Sequence, residues 1–380
     1  MQEWILKRLS LLNYKNYQDA DFEFSPQINF IVGPNGAGKT NILDAIHYLS
    51  TGKSYFNPTD AQNVRHGETA MSIMGEFVHN ESTERIHLAW DKRKILKRND
   101  EKYKRMMDHV GLIPVVVISP ADRDLIVDGS ESRRRFLDST LSQIDPVYLD
   151  HLVRYHNVLK QRNALLKKGI SDLSLLEIYD EQFVAHGIYI AKKRQSFCDE
   201  FAPQVANHYT SIADGVDAVS LKYNSKVDTD KYLEQLRLAF AKDRVLEHST
   251  FGIHRDDLDC LLEERPIKKF GSQGQQKTFS IALKLAQFDY LMAKKGFKPI
   301  LLLDDIFDKL DASRVKKMVE NVSSGVFGQI FITDTHPERV EQLSNFTGLP
   351  IYSIELLRNN EMTSTSIEVY NEENNEVNES

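Results

Sequence analysis

Apolar residues near the start of the chain fall in short runs or alternate with polar ones, which is the pattern of β-strands. The clearest run, residues 28–32, has the length of one buried strand and is too short for a helix. Polar residues at 79–83 separate two further segments, as a turn between paired strands does. The predicted strands of this part are residues 4–12, 28–32, 71–78, 85–90 and 115–119.

The middle of the chain changes to helical periodicity. Residues 145–168 begin with an Asp-Pro pair suited to a helix start and end in a basic turn followed by glycine. A second long helix is predicted over about residues 174–201, and we expect Pro203 to end it. Loop signals are few between residues 145 and 210, which favours a helical subdomain or an antiparallel arm.

The last third of the chain alternates between helices and strands, as in an α/β sheet. A helix predicted at 272–295 precedes a buried strand at 299–303. Asp311 is expected to cap the next helix, which a strand at 329–333 follows. The acidic and polar residues 371–380 are predicted to be disordered.

Composition restricts the class of protein. The 380 residues are 41% hydrophobic and 27% charged, as in a soluble globular chain of two or three domains. No apolar run reaches the length of a membrane span, and the first residues lack the apolar segment of a signal peptide. Two cysteines give neither a disulfide framework nor a metal-ligand spacing, so a cytoplasmic location is expected. The net charge of −7 argues against a uniformly basic nucleic-acid binder, although local basic patches remain compatible with it.

The sequence GPNGAGKT at residues 33–40 follows the strand predicted at 28–32 and precedes a helical stretch. Its glycines let successive N–H groups point inward, and the helix N-terminus behind them favours an anion. Lys39 then reaches the β- and γ-phosphates of a nucleotide, and the Thr40 hydroxyl is placed to bind Mg²⁺. A glycine-rich turn that binds nothing is the alternative. The predicted nucleotide contacts here are Gly33, Pro34, Asn35, Gly36, Ala37, Gly38, Lys39, Thr40 and Asn41.

Two acidic residues, Asp304 and Asp305, follow the strand predicted at 299–303. A buried strand that delivers carboxylates at its C-terminal end is how open α/β sheets place functional groups. We expect Asp304 to hold Mg²⁺, directly or through water, and Asp305 to polarise the attacking water. The alternative is an ordinary turn or helix cap after a strand.

A third polar segment, residues 271–276, begins the helix predicted at 272–295. A serine and a glycine at a helix N-terminus form an anion site. The alternative is a capping box, in which Ser272 caps the helix and Gln275 is its N3 partner. The order of the segments favours a functional site, because the phosphate loop, the Ser272 helix and the acid pair are followed by a strand and His336.

In this order the chain resembles the ATP-binding cassette (ABC) family of ATPase heads. The matching residues are Ser272, Gly274 and Gln275 for the signature motif, Asp304 and Asp305 for the Walker B pair, Asp311 for the D-loop and His336 for the switch histidine. The resemblance implies an α/β fold, an ABC-type P-loop ATPase head with a helical subdomain inserted between its Walker A half and its signature and Walker B half. It implies ATP and Mg²⁺ as cofactors. It also implies that Ser272 acts in trans, on the nucleotide that Lys39 of a second copy binds.

Among such heads, the chain resembles the RecF family of bacterial DNA repair and replication proteins over nearly its full length. The segments that carry the resemblance are residues 12–17, 33–44, 119–122, 129–138, 250–257, 272–277 and 304–311. The resemblance implies an ATP-dependent homodimer that closes on double-stranded DNA at gaps or single-strand/double-strand junctions. It further implies cooperation with RecR and RecO in loading recombinase, and no membrane partner.

The chain departs from the ABC pattern in two places. No Q-loop glutamine follows the N-terminal strands, and residues 119–120 lie where one is sought. Asp305 stands where glutamate is usual, and its shorter side chain leads us to expect slow ATP hydrolysis. The resemblance implies a weak ATPase that DNA stimulates. Lys15 or Asn16 is expected to contact the nucleotide, with a surface turn as the alternative.

Several basic clusters are candidates for contact with DNA phosphates. Residues 91–105 contain eight basic side chains, for which a solvated hairpin or loop is the alternative. The triplet 133–135 instead has the option of pairing with Asp138 or Asp145. Further cations on the first long helix are Lys160, Arg162, Lys167 and Lys168. Residues 254–257 are expected either near the head interface or in a turn with local ion pairs.

The predicted domains are residues 1–125 and 248–368 for the two halves of the head, 126–247 for the helical subdomain and 369–380 for the tail. An ATPase subunit of an ABC membrane transporter is the alternative function, although such subunits lack this helical insert and carry a clear Q-loop. A head that binds ATP without cleaving it is a third hypothesis.

Overall fold

A computed structural model describes residues 3–57, 59–169, 173–213, 217–306, 327–357 and 362–367. The chain forms two compact units, the first from residues 1–120 and 291–380 and the second from residues 121–290. These boundaries differ from the predicted domains, because residues 248–290 group with the helical middle of the chain and not with the second half of the head.

The N-terminal part of the first unit is mostly β-structure. Its elements are β1 (Ile5–Tyr14), β2 (Tyr17–Glu23), β3 (Ile28–Val32), α1 (Lys39–Thr51), β4 (Met71–His79), β5 (Ser82–Asp91), β6 (Arg93–Arg98), β7 (Glu101–Lys102) and β8 (Val115–Ile118). Six of these strands form an antiparallel sheet in the order β2-β1-β4-β5-β6-β7. The basic run 91–105 therefore contains the antiparallel strands β6 and β7, which matches the hairpin alternative for this segment.

The second unit is mainly helical. Its elements are α2 (Asp124–Val127), α3 (Ser130–Ile144), α4 (Pro146–Lys168), α5 (Leu173–Ala213), β9 (Val219–Asn224), α6 (Tyr232–Leu246), β10 (Asp257–Leu262), β11 (Arg265–Pro266), α7 (Ile267–Phe270) and α8 (Gln273–Lys295), whose last residues are counted with the first unit. The strands pair in the order β11-β10-β9. Helix α4 begins as predicted, because the Asp145 side chain accepts hydrogen bonds from the backbone N–H groups of Val147 and Tyr148.

The prediction that Pro203 ends the second long helix is wrong, because α5 continues to Ala213. Pro203 itself is exposed, whereas Val205, Tyr209 and Ile212 beyond it are buried. Continued burial of this apolar stripe outweighs the backbone hydrogen bond that the proline ring removes.

The C-terminal part returns to the first unit with β12 (Ile300–Asp304), β13 (Ile330–Asp334), α9 (Glu338–Thr347), β14 (Ile351–Leu356) and β15 (Met362–Ile367). The second sheet of this unit has the order β15-β14-β3-β13-β12-β8, and its pairs are parallel except for β15 with β14. The residues of β3, β12 and β13 are buried along their whole length, as in a sheet covered on both faces. Asp311 and the helix predicted after it lie outside the described residues.

The side-chain amide of Gln329 joins the two sheets of the first unit. It accepts a hydrogen bond from the backbone N–H of Leu6 and donates to the carbonyls of Leu6 and Ser25, at 2.7 to 2.8 Å. Gln329 therefore satisfies the backbone of β1 near Leu6, where its pairing with β4 shifts register.

Candidate functional site

The phosphate loop at residues 33–40 joins the end of β3 to the start of α1. Gly38 has φ +107°, and a Cβ there would come within 2.6 Å of the Asn16 amide and the Tyr17 hydroxyl, so glycine is required. Gly38 also precedes α1, and no side chain caps this helix. The N-terminus of α1 therefore keeps backbone N–H groups and the positive end of its dipole for an anion.

The ammonium group of Lys39 is buried in this loop. It donates hydrogen bonds to the carbonyls of Gly33 (2.7 Å) and Pro34 (3.1 Å), so its hydrogen-bond partners in the described ranges are carbonyls and not carboxylates. Burial lowers the pKa of Lys39, and the charges of Asp305, Asp304 and Asp334 oppose that shift. The loop therefore holds a desolvated positive charge. A phosphate would accept hydrogen bonds from the N–H groups of this ammonium.

The Asp304 carboxylate lies at the end of β12, beside the phosphate loop. Its Oδ1 accepts hydrogen bonds from the hydroxyls of Thr40 and Thr333, each at 2.8 Å. Burial raises the pKa of Asp304, while these two hydrogen bonds lower it. The described residues hold no cluster of three or more His, Cys, Asp or Glu that binds a metal by itself. One hydroxyl and one carboxylate instead fit Mg²⁺, which takes its remaining oxygens from phosphates and water.

Asp305 has φ +47°, a left-handed conformation that is uncommon for a residue with a side chain. Its backbone N–H donates to the Thr333 hydroxyl at 3.1 Å. Such a conformation is retained only where surrounding contacts hold it, and it is found preferentially at functional sites. Asp334 lies at the end of the neighbouring strand β13, and a cation neutralises it. Its carboxylate accepts hydrogen bonds from Arg339 at 2.7 Å and from the backbone N–H of His336 at 2.9 Å.

The predicted switch histidine lies on the surface of this edge. The His336 side chain is 53% exposed, and its Nδ1 lies 2.9 Å from the Thr335 hydroxyl. The structure thus brings Lys39, Thr40, Asp304 and Asp305 to one edge of the parallel sheet, with His336 following β13. Their catalytic and binding roles stay predictions.

The turn between β1 and β2 contacts α1 in a way that sequence reasoning missed. Lys15 Nζ lies 2.6 Å from the buried Asp44 carboxylate, which also accepts from the hydroxyls of Tyr14 and Ser54. Asn16 donates to the carbonyl of Ala37 at 3.2 Å. Lys15 is therefore already paired within the first unit, and its contact with the nucleotide stays a prediction that would use its remaining N–H donors.

Residues 272–276 form a capping box at the start of α8 in the second unit. The backbone N–H of Gln275 donates to the Ser272 hydroxyl at 3.2 Å, and the backbone N–H of Ser272 donates to the Gln275 side chain at 2.8 Å. Gln275 also donates to Asp217 at 2.7 Å. The capping alternative thus describes the local geometry, and an anion site at Ser272 and Gly274 stays a prediction.

The basic run splits into two faces, because side chains alternate across strand β6. Lys94 bonds Asp60 at 3.0 Å and Arg98 bonds Glu84 at 2.6 Å, on the face of the buried Leu96. Arg93 and Lys97 lie on the opposite face, where Lys97 pairs in register with Lys102 on β7 and His87 on β5. Three of the eight basic side chains in the run, Lys94, Arg98 and Arg105, are therefore paired with carboxylates. Arg93, Lys97 and Lys102 form a cationic row on the other face of this sheet, called the outward row.

Of the other predicted cations, Arg133 and Arg162 are paired inside the second unit, whereas Lys160, Lys167 and Lys168 are exposed on α4. Arg133 pairs with Asp257 at 2.7 Å, not with Asp138 or Asp145 as the sequence suggested. Arg162 is fully buried against Asp180 and Asp243.

The segment 254–257 is a turn whose side chains bond within the second unit. The half-buried His254 ring contacts the Tyr155 hydroxyl at 2.8 Å, and desolvation lowers the pKa of His254 to about 4. Asp256 accepts from the Ser225 hydroxyl at 2.7 Å, and Asp257 accepts from Arg133. These contacts match the local alternative, and a role at a head interface stays a prediction. Across the part of the chain that the structure describes, every helix is too short or too polar to span a bilayer.

Comparisons with known proteins agree with this geometry. A family profile described as the RecF/RecN/SMC N terminal domain matches residues 5–354. The sequence is 51% identical over 348 residues to the DNA replication and repair protein RecF of Flavobacterium johnsoniae, which covers 90% of this chain and 97% of that protein.

Solved structures show the same fold. One described as the recombination mediator protein RecF-ATP in the RecFOR pathway superposes with a TM-score of 0.87 at 27% identity, over 96% of this chain and 98% of that chain. The Smc head domain from Pyrococcus furiosus superposes with a TM-score of 0.55 at 15% identity, over 96% of each chain, which shows the fold alone. The predicted fold class, an α/β ABC-type ATPase head with a helical insertion, is confirmed.

Proposed function

Because the chain belongs to the RecF family of DNA replication and repair proteins, we propose that it is an ATP-dependent DNA-binding protein of recombinational repair and replication-fork maintenance. The observation that carries this proposal is the buried Lys39 ammonium, which is satisfied by loop carbonyls beside the uncapped N-terminus of α1. That combination is a site built for the phosphates of a nucleotide.

Residues of the first unit have separate roles in binding and hydrolysing ATP in this proposal. Lys39 transfers its hydrogen bonds from the loop carbonyls to the β- and γ-phosphates. Thr40 and Asp304 hold Mg²⁺, which when bound neutralises charge on the phosphate oxygens. Asp305 orients the attacking water, and His336 lies at the exposed rim of the same edge.

A second copy of the chain completes the site. Ser272, Gly274 and Gln275 of one copy contact the γ-phosphate bound by the other, so ATP closes a homodimer and hydrolysis opens it. The Ser272 hydroxyl is compatible with this role, because it accepts from the Gln275 N–H and keeps its own proton to donate to a phosphate. Asp305 is shorter than glutamate and holds the attacking water less closely, so we expect weak hydrolysis, below about one per second. We also propose that bound DNA stimulates this hydrolysis.

Double-stranded DNA near single-strand gaps is the proposed partner of the closed dimer. The outward row of Arg93, Lys97 and Lys102 supplies charges for the phosphate backbone without reading bases. One solved relative is described in the RecFOR pathway, which supports RecR and RecO as partners in loading recombinase.

The decisive experiment measures mass by light scattering with and without ATP, and with and without gapped duplex DNA. We expect a monomer without nucleotide, a dimer with ATP and a heavier complex when DNA is added. Asp305→Asn should retain ATP binding and keep the dimer longer, because the water is no longer oriented. A mass that ATP leaves unchanged, or a variant that hydrolyses ATP at the parent rate, contradicts the proposal.

The DNA surface is tested separately with matched variants on one strand. Lys97→Gln and Arg93→Gln should each weaken duplex binding and reduce the salt slope of the binding constant by about one. Lys94→Gln and Arg98→Gln remove the same charge from the opposite face, where carboxylates already neutralise it, and should leave that slope unchanged. Equal effects from both faces would rule out the outward row as the contact.

A further inference from the structure

Thr333 is completely buried at the end of β13, directly across from Asp304 on the parallel strand β12. Its hydroxyl makes two hydrogen bonds to the two acidic residues. It accepts from the backbone N–H of Asp305 at 3.1 Å and donates to Asp304 Oδ1 at 2.8 Å. The carboxylate only accepts and the amide only donates, so the direction of both bonds is fixed.

We propose that Thr333 is a positioning residue for ATP hydrolysis, which orients the metal-binding carboxylate of Asp304 and holds the backbone that aims Asp305. This inference rests on the proposed ATPase function, since neither role has meaning without it. Thr333 touches neither the nucleotide nor the water in this scheme, and it acts through its two acidic neighbours.

The chemistry of a hydroxyl suits this task. A hydrogen bond from threonine fixes the rotation of Asp304 and adds no positive charge that would compete with Mg²⁺. Asp334, one residue further along β13, is held instead by the guanidinium of Arg339. Asp334 is therefore neutralised by a cation of the protein, whereas Asp304, which bonds hydroxyls, keeps its negative charge for a ligand.

The backbone at Asp305 gives the second half of the argument. Its left-handed conformation carries an energetic cost for a residue with a Cβ, so contacts must hold it in place. The bond from its N–H to Thr333 is one such contact. Without this hydrogen bond, the peptide at the end of β12 loses a restraint. The direction of the Asp305 side chain is then no longer fixed.

Two substitutions separate the hydroxyl from the shape of the side chain. Thr333→Val keeps the branched shape and removes the hydroxyl, whereas Thr333→Ser keeps the hydroxyl. We expect Thr333→Val to lower kcat by about 10- to 100-fold, the range for a lost hydrogen bond to a charged group, and to raise the Mg²⁺ concentration at half-maximal rate. ATP affinity in EDTA should stay within about twofold, because Lys39 and the loop bind the phosphates. Thr333→Ser should lie near wild type in all three measurements.

A readout without nucleotide tests the geometry directly. Amide hydrogen exchange at Asp305 should be about tenfold faster or more in Thr333→Val and nearly unchanged in Thr333→Ser. Thr140→Val is the matched control, since Thr140 is equally buried in the second unit and donates to the Phe136 carbonyl. This control should leave kcat and Asp305 exchange unchanged.

The outcomes distinguish this inference from the proposed function. If the wild-type protein does not hydrolyse ATP, the proposed activity fails, and Asp305 exchange still decides whether Thr333 holds that backbone. If the wild type hydrolyses ATP and Thr333→Val matches it in kcat, Mg²⁺ dependence and exchange, the inference is overturned. Thr333→Ala carries the same expectation if the valine variant does not fold.

Discussion

The two units of the molecule both bury a cation, but they satisfy it with different groups. In the second unit, Arg162 is 0% exposed and forms ion pairs with Asp180 and Asp243, each at 2.7 Å. In the first unit, Lys39 is buried against backbone carbonyls. A carboxylate cancels the positive charge, whereas a carbonyl satisfies the hydrogen bond and leaves the charge in place. The first arrangement holds a fold together, and the second attracts an anion.

The starts of two helices show the same division. In the second unit, the Asp145 side chain caps α4 by accepting from two backbone N–H groups. In the first unit, α1 follows Gly38 and has no side-chain cap. The backbone N–H groups at the start of α4 thus bond a side chain of the protein, whereas those at the start of α1 are available for a ligand.

The largest expected effect comes from removing the cation of the second unit. Arg162→Leu leaves Asp180 and Asp243 buried without their partner and should lower the free energy of unfolding by about 3–5 kcal/mol. Urea denaturation measures this loss. Arg154→Leu, which breaks an exposed pair with Asp150, should change the stability by less than about 1 kcal/mol. Equal losses would break the comparison, because burial would then have no role.

Acid should weaken both units through one histidine in each, the buried His109 in the first and the half-buried His254 in the second. Burial lowers the pKa of His109 in the first unit and of His254 in the second to about 4. The unfolded chain takes up these protons first, so stability is complete above about pH 6.5 and is lost as the pH falls towards 4, by on the order of 3 kcal/mol for each histidine.

Urea denaturation at pH 7.5 and 5.0 measures this acid loss. His109→Gln and His254→Gln should each remove part of it, whereas His66→Gln, at an exposed residue, should not. If the loss of stability between pH 7.5 and 5.0 is unchanged in both His109→Gln and His254→Gln, other titratable groups cause it.

Lys39→Met should separate binding from folding. We expect the binding free energy of ATP to weaken by about 2 kcal/mol or more, because a charge contact to phosphate is lost. Stability without nucleotide should change by about 1 kcal/mol or less, because the lost hydrogen bonds to the Gly33 and Pro34 carbonyls are offset by the removal of a buried charge. Calorimetric titration and urea denaturation give the two numbers, with the exposed Lys7→Met as the control. A large loss of stability without nucleotide would contradict the distinction drawn between Lys39 and Arg162.

The smallest effect is expected at the cap of α4. Asp145→Ala should lower the free energy of unfolding by about 1 kcal/mol, the usual value of a lost N-cap. Urea denaturation of this variant also sharpens the comparison of helix starts. An unchanged stability would mean that the α4 N-terminus, like that of α1, does not depend on a cap.

Local signals in the sequence predicted the elements that carry the site. The apolar run before the phosphate loop is strand β3, and the run before Asp304 is β12. These predictions succeed because the composition of a short buried strand is a local property. The start of α4 was likewise predicted from its own first two residues.

Long-range pairing accounts for what the sequence did not predict. Arg133 bonds Asp257, 124 residues away, and nothing in the composition around Arg133 selects that partner over Asp138. The role of Thr333 also depends on the register between β12 and β13, which only the assembled sheet provides. Helix α5 passes Pro203 because tertiary burial beyond it outweighs a local rule.

The bonds of Gln329 have a consequence for how the protein is made. Its amide joins β1 at Leu6, 323 residues earlier, and the neighbours of β3 in its sheet are β13 and β14. The phosphate loop is therefore synthesised early. The strands that flank β3 in the sheet, β13 and β14, are available only after the last part of the chain has been translated. Assembly of the parallel sheet around the phosphate loop is thus a late event in the synthesis of this protein, and a chain that stops before β13 lacks both strands that flank β3.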